Sequence, residues 1–192
     1  MPQPSHIVKI DLPDPEHLDA DIREYLSVCE EKLGLAPNVL AAYTAKPEKF
    51  RTFTMFYNQL MLDKDATNLS KLEREMIAVV VSSANRCYYC LVAHGQAVRA
   101  LSGDPQLGEM LVMNYRIADL PARQRAMLDY AWKLTKTPYD MGERDRADLR
   151  QAGFSDGDIF DISDTAAFFN YTNRMAHGLD MMPNADYHGM DR

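Results

Sequence analysis

The stretch from Ser70 to Pro105 dictates two helices in succession, and with them the character of the whole chain. Ser70-Lys71-Leu72-Glu73 is a capping box, in which the serine and the glutamate satisfy orphan amides of a helix N-terminus. The helix it opens is predicted to run to about Ser83. Asn85 reads as the cap of a second helix, from about Arg86 to Leu101, and Gly103-Asp104-Pro105 breaks the chain after it. The β-branched run Ile77 to Val81 is also compatible with a buried strand, but it is short and lies inside a longer helical window. The same period governs the rest. Glu16 to Leu33 is a charged amphipathic helix with Leu18, Ile22, Leu26 and Cys29 on one stripe. Pro37 opens another helix, and Pro47 a third that runs to about Leu62 with Met55, Phe56, Gln59 and Leu60 giving it an apolar side. Further helices are expected near 105–115, 121–136, 143–152 and 156–178. Residues 1–15 carry four prolines and read as an extended arm. No stretch alternates convincingly, so the expected fold class is all-α, as one domain over 1–192.

The chain contains a faint internal echo. Leu69 to Gly95 and Leu120 to Gly178 share a plan, and Ala93-His94-Gly95 matches Ala176-His177-Gly178. Counting back from His177, Asn170 and Asn173 fall where Cys87 and Cys90 precede His94. Two pseudo-repeated helical halves, the second without thiols, account for the echo; so does chance.

Composition narrows the class. A chain of 192 residues that is 46% hydrophobic can bury a real core, and a formal net charge of −7 argues against nucleic acid as the main partner. No apolar run approaches the roughly 20 residues needed to span a bilayer. The N-terminus lacks the basic and apolar regions of a secretory signal, so a cytoplasmic location is the expectation. There, three cysteines do not form a structural disulfide framework, and a Cys-x-x-Cys pair reads as catalytic or metal-binding.

That pair is Cys87-Tyr88-Tyr89-Cys90, with His94 four residues on and Glu75 twelve residues before Cys87. On a helix at about 100° per residue, Cys87, Cys90 and His94 fall within about 60° of arc, on one face. Cys87 is expected in the first turn, where free amides and the helix dipole stabilise a thiolate. Cys90 faces His94 at i+4. A free thiol has a pKa of about 8.5 and is mostly protonated at neutral pH. His94 can accept the proton, and Glu75 can orient His94 or relay the proton. One thiolate can then open a peroxide O–O bond, the other thiol can close a disulfide, and an external dithiol can restore the pair. This reading needs no cofactor and no metal. A zinc site is the competing reading: Cys87, Cys90 and His94 give three ligands, and Cys29, His177 or Glu75 would have to supply the fourth. General thiol–disulfide exchange is another. Cys29 alone reads as a core residue, Tyr88 and Tyr89 as packing or pocket walls, and the twelve methionines as gap-filling core.

The pattern Glu-x11-Cys-x2-Cys-x3-His, from Glu75 to His94, resembles the signature of the alkylhydroperoxidase D-like (AhpD-like) proteins of the carboxymuconolactone decarboxylase-like superfamily. Asn85-Arg86-Cys87 and Phe168-Phe169-Asn170-Tyr171-Thr172-Asn173-Arg174-Met175-Ala176 resemble its peroxidase-related subgroup. The resemblance implies an AhpD-like helical bundle, a homo-oligomer and a thiol-dependent peroxidase acting on alkyl hydroperoxides. It implies Cys90 as the peroxidatic thiol, Cys87 as the resolving one, and His94 with Glu75 as the proton relay. The dipole argument taken alone favours Cys87 as the more acidic thiol. One position departs from the pattern: Tyr89 stands where the best-known members carry a second histidine, and a tyrosine is a poor base at neutral pH. Those members use a lipoylated adaptor protein; here the reductant is expected to be an external dithiol or disulfide reductant.

Overall fold

The computed structural model describes residues 3–192; Met1 and Pro2 of the arm lie outside the described residues. Nine α-helices and no strand are found among the described residues. They are α1 (Ala20–Leu33), α2 (Asn38–Tyr43), α3 (Pro47–Tyr57), α4 (Lys71–Asn85), α5 (Tyr88–Ser102), α6 (Pro105–Asn114), α7 (Ala122–Lys136), α8 (Glu143–Gln151) and α9 (Asp156–Gly178).

α4 is the hub. It packs against α5, α6, α7 and α9, and every residue from Met76 to Val81 is inaccessible to solvent. Four of those six are β-branched, which costs each at most ~0.7 kcal/mol of helix propensity relative to alanine. Burying each such side chain returns ~1.5–3 kcal/mol. Burial therefore decides the conformation, and the strand reading of Ile77 to Val81 is overturned. The capping box is present as expected: Ser70 Oγ accepts from the Glu73 amide at 3.1 Å, and Glu73 Oε2 accepts from the Ser70 amide at 2.9 Å.

α5 returns antiparallel to α4 after a two-residue hinge and crosses α6 closely. A Cβ on Gly108 would stand 2.6 Å from Arg99 Cγ, and one on Gly95 would stand 3.0 Å from Val112 Cγ2. At Gly108 a Cβ would force Arg99 to shift, and at Gly95 it would press on Val112. Arg99, buried in the same contact, donates to the carbonyls of Tyr187 and Met190 at 2.9 and 3.0 Å. It thereby holds the C-terminal segment across α5.

Two helices differ from expectation. Pro15–His17 is a separate 3-10 turn capped by Asp14, and α1 opens at Ala20, because Leu18 turns extended between them. α3 does not continue unchanged to Leu62 but widens into a π turn over Asn58–Leu62. The buried Arg74 guanidinium closes that turn by donating to the Leu60 and Asp63 carbonyls. Residues 7–9 of the arm are pinned: the Met182 amide donates to Ile7 O and the Lys9 amide to Leu179 O, both at 2.9 Å.

Candidate active site

The α4–α5 hinge sets the site. Asn85 is the last residue of α4, not the cap of α5 as the sequence suggested. Its side chain is occupied across the core, donating to Asn170 Oδ1 and Asn173 Oδ1 of α9 at 3.0 and 2.9 Å. Arg86 ends α4 in the left-handed conformation, φ 55°, and Cys87 takes the N-cap position of α5 in extended conformation. Cys87 is thus just outside the helix rather than in its first turn. Cys90 is in the first turn, and His94 lies one turn further along.

The structure brings all four expected residues together in the interior. Cys87 and Cys90 are 1% and 3% exposed, both as free thiols. Glu75 on α4 is 3% exposed, and its Oε2 lies 2.7 Å from His94 Nδ1. A carboxylate acceptor there fixes the neutral imidazole as the Nδ1–H tautomer. Nε2 is left as the basic nitrogen, with no protein partner among the described residues. Phe169 stacks edge-on against the His94 ring at 4.6 Å and sets its plane.

The neighbouring Cys90 thiol, as a hydrogen-bonding partner, outweighs burial and holds the Cys87 thiol down to about 7. The same bond, with burial, pushes Cys90 well above the ordinary thiol range. The Cys87 sulfur also lies 4.0 Å from the Asn173 carbonyl, and the Asn173 side-chain amide donates to Ser82 Oγ at 3.0 Å. Ser82 and Asn173 form a polar floor beneath the thiols that the sequence reading did not assign. The one signal for it was the echo that aligned Asn173 with Cys90.

A cavity of about 650 Å³ opens on the site. Its walls are apolar and aromatic, from α1, α3, α5, α9 and the C-terminal segment. Cys90, His94 and Glu75 line it; Cys87 does not. Tyr89 lines it too, but its hydroxyl accepts the Val39 amide at 3.0 Å and so fixes the start of α2. Burial pushes its phenol well above the ordinary range, so it does not replace a histidine base. Cys29 belongs to the cavity wall as well as the stripe it was read on. Among the described residues, no group of three or more His, Cys, Asp or Glu side chains is arranged to hold a metal ion. The zinc reading has no ligand set to draw on there. No helix among them is long and apolar enough to cross a membrane.

A buried dithiol, a carboxylate-oriented imidazole and an all-α scaffold define a class, and comparison with known proteins places the chain within it. The sequence model of the carboxymuconolactone decarboxylase family matches residues 47–131. An uncharacterized peroxidase-related protein from Silicibacter sp. TM1040 is 58% identical over the full length of both chains, with a TM-score of 0.94. An alkylhydroperoxidase AhpD core protein from Ralstonia eutropha JMP134, also described as peroxidase-related, is 40% identical over 98% of both chains, again with a TM-score of 0.94. The debrominase Bmp8, in complex with 2,3,4-tribromopyrrole, shares the fold at 16% identity, with a TM-score of 0.78 over 97% of this chain and 95% of that one. No curated protein matches the chain. The chain belongs to the AhpD-like proteins of the carboxymuconolactone decarboxylase family.

Proposed function

We propose that the protein is a two-cysteine peroxidase that reduces organic hydroperoxides, with Cys90 meeting the peroxide and Cys87 resolving it. The observation that carries this reading is the asymmetry of the dithiol: Cys90 and the Glu75–His94 pair line one apolar cavity, while Cys87 lies behind Cys90 and does not reach it.

The cycle follows from that arrangement. Cys90 gives up its proton to His94 Nε2, or to the Cys87 thiolate it already bonds. Its sulfur attacks the terminal peroxide oxygen, the O–O bond breaks, and the departing alkoxide takes the proton as an alcohol. Cys90 is left as a sulfenic acid. Cys87, as its thiolate, attacks that sulfur; the disulfide forms and the hydroxide that leaves takes a proton from solvent to become water. An external dithiol then attacks Cys90, the sulfur open to the cavity. Cys87 departs as the thiolate. The assignment of Cys90 that the resemblance implies agrees with its access to the cavity.

The test is rapid mixing of the reduced protein with cumene hydroperoxide or hydrogen peroxide, followed by thiol counting. The expected result is loss of two thiols per chain, abolished in Cys90→Ser, with a sulfenic acid trapped in Cys87→Ser. Thiols that survive excess peroxide for minutes would remove the peroxidase reading. Turnover of a model disulfide without turnover of peroxide would put general thiol–disulfide exchange in its place.

A further inference from the structure

The cavity's charged residues do not match the rest of the molecule. The chain carries a net charge of −7, yet apart from the Glu75–His94 pair the charged side chains on the cavity wall are Lys32 and Lys71. Neither makes an ion pair or side-chain hydrogen bond among the described residues. Lys32 stands in the last turn of α1, where the helix dipole favours a cation. Lys71 stands at the first position of α4, where the dipole disfavours one. Helix stability does not account for it.

The α5 wall of the cavity is long and largely apolar, interrupted between Leu101 and Cys90 by Gln96 and His94. On α5 it runs from Leu101 to Cys90, eleven residues or about 16 Å at the α-helical rise. Lys71 lies one turn, about 6 Å, before Glu75 on α4. A pocket of this kind takes its affinity from apolar contact and its orientation from a few polar groups.

We propose that the cavity binds an anionic amphiphile, a fatty-acid hydroperoxide or close analogue, with its carboxylate at Lys71 and Lys32 and its apolar body along α5. The peroxide on that body is thereby carried toward Cys90. The choice of hydroperoxide rests on the peroxidase reading; the binding of a carboxylate-headed apolar chain does not.

The binding test uses decanoate and decanol, probes that the thiols cannot turn over, in titration calorimetry on the reduced protein. Decanoate is expected to bind about two- to fivefold tighter than decanol, the scale of an exposed charge pair. That preference is expected to shrink as salt rises, and to vanish in the Lys32→Gln/Lys71→Gln double variant but not in Lys46→Gln, which lies off the cavity. Lysines that merely solvate the rim predict equal affinities for the two probes. Equal affinities, no binding of decanoate, or a preference that survives in the double variant would each overturn the proposal. A second readout compares kcat/KM for a fatty-acid hydroperoxide and its methyl ester. If decanoate binding behaves as expected and neither peroxide is consumed, the peroxidase reading fails while the carboxylate site stands.

Discussion

Within the four-residue span of the dithiol, two chemically identical side chains are made unequal by what each can touch. Cys87 donates toward the Asn173 carbonyl and is paired with the Cys90 thiol, the bond that lowers its pKa; Cys90 faces the cavity. If the bond is the main cause of the low Cys87 value, Cys90→Ala must remove it. The thiolate absorbance of Cys87 then titrates well above 7 instead of near it, and an unchanged midpoint would assign the acidity to the helix terminus or to His177 instead. The relay makes a separate prediction. Glu75→Gln keeps an acceptor for His94 Nδ1 but removes the charge that stabilises the protonated ring. Peroxide reduction is expected to fall by roughly 10²-fold or more, the range of general acid–base catalysis. The fold should be retained by circular dichroism, and a rate within a factor of about two of wild type would remove Glu75 from the relay. The four residues themselves were legible because their spacing is local: i, i+3 and i+7 on one helix, with the carboxylate on the helix before. Unequal thiols were expected from the helix start and from the resemblance; their unequal access was not legible, because access and the Ser82–Asn173 floor depend on α9, some eighty residues away in sequence.

The helices were legible for an equally local reason. Caps, prolines and glycines mark their ends, and the capping box at Ser70 is read directly from four residues. The hinge misled the sequence reading because Asn85 has the higher intrinsic preference for a cap. In the fold its side chain instead joins α4 to α9, and that tertiary demand moves the cap to Cys87. The α5–α6 crossing could not be read at all, since a glycine inside a helix says only that something comes close. That contact yields a stability prediction. In Gly108→Ala the new Cβ meets Arg99 Cγ at 2.6 Å and the Gly95 carbonyl at 3.1 Å. Arg99 cannot swing aside without breaking its bonds to Tyr187 and Met190. The cost is expected to be ~1–3 kcal/mol, and the thermal midpoint should drop by several degrees. An unchanged midpoint would mean that the crossing has slack.

The cavity belongs to the whole molecule, because seven separate segments between Tyr25 and Met190 build it. No local pattern announces such a space; the sequence offered only the apolar faces that line it. The opposite face of the same problem is apolar surface that this one chain leaves uncovered. Isolated exposed apolar side chains are ordinary, but Met113 and Ile117, at the end of α6 and in the turn after it, are 80% and 63% exposed within five residues. Exposed apolar groups gathered at one corner of a fold mark an interaction surface, and a second copy of the chain is the partner the family resemblance implies. Light scattering should then give a mass above that of the 21.8 kDa chain. Met113→Asp with Ile117→Asp should shift it toward that value, since a carboxylate buried at an interface without a partner is strongly disfavoured. A monomer mass for the unaltered protein would sink the assembly itself, whereas an unchanged oligomer in the double variant would move the interface to another face, with Met55 and Phe160, 68% and 69% exposed, the next to be altered.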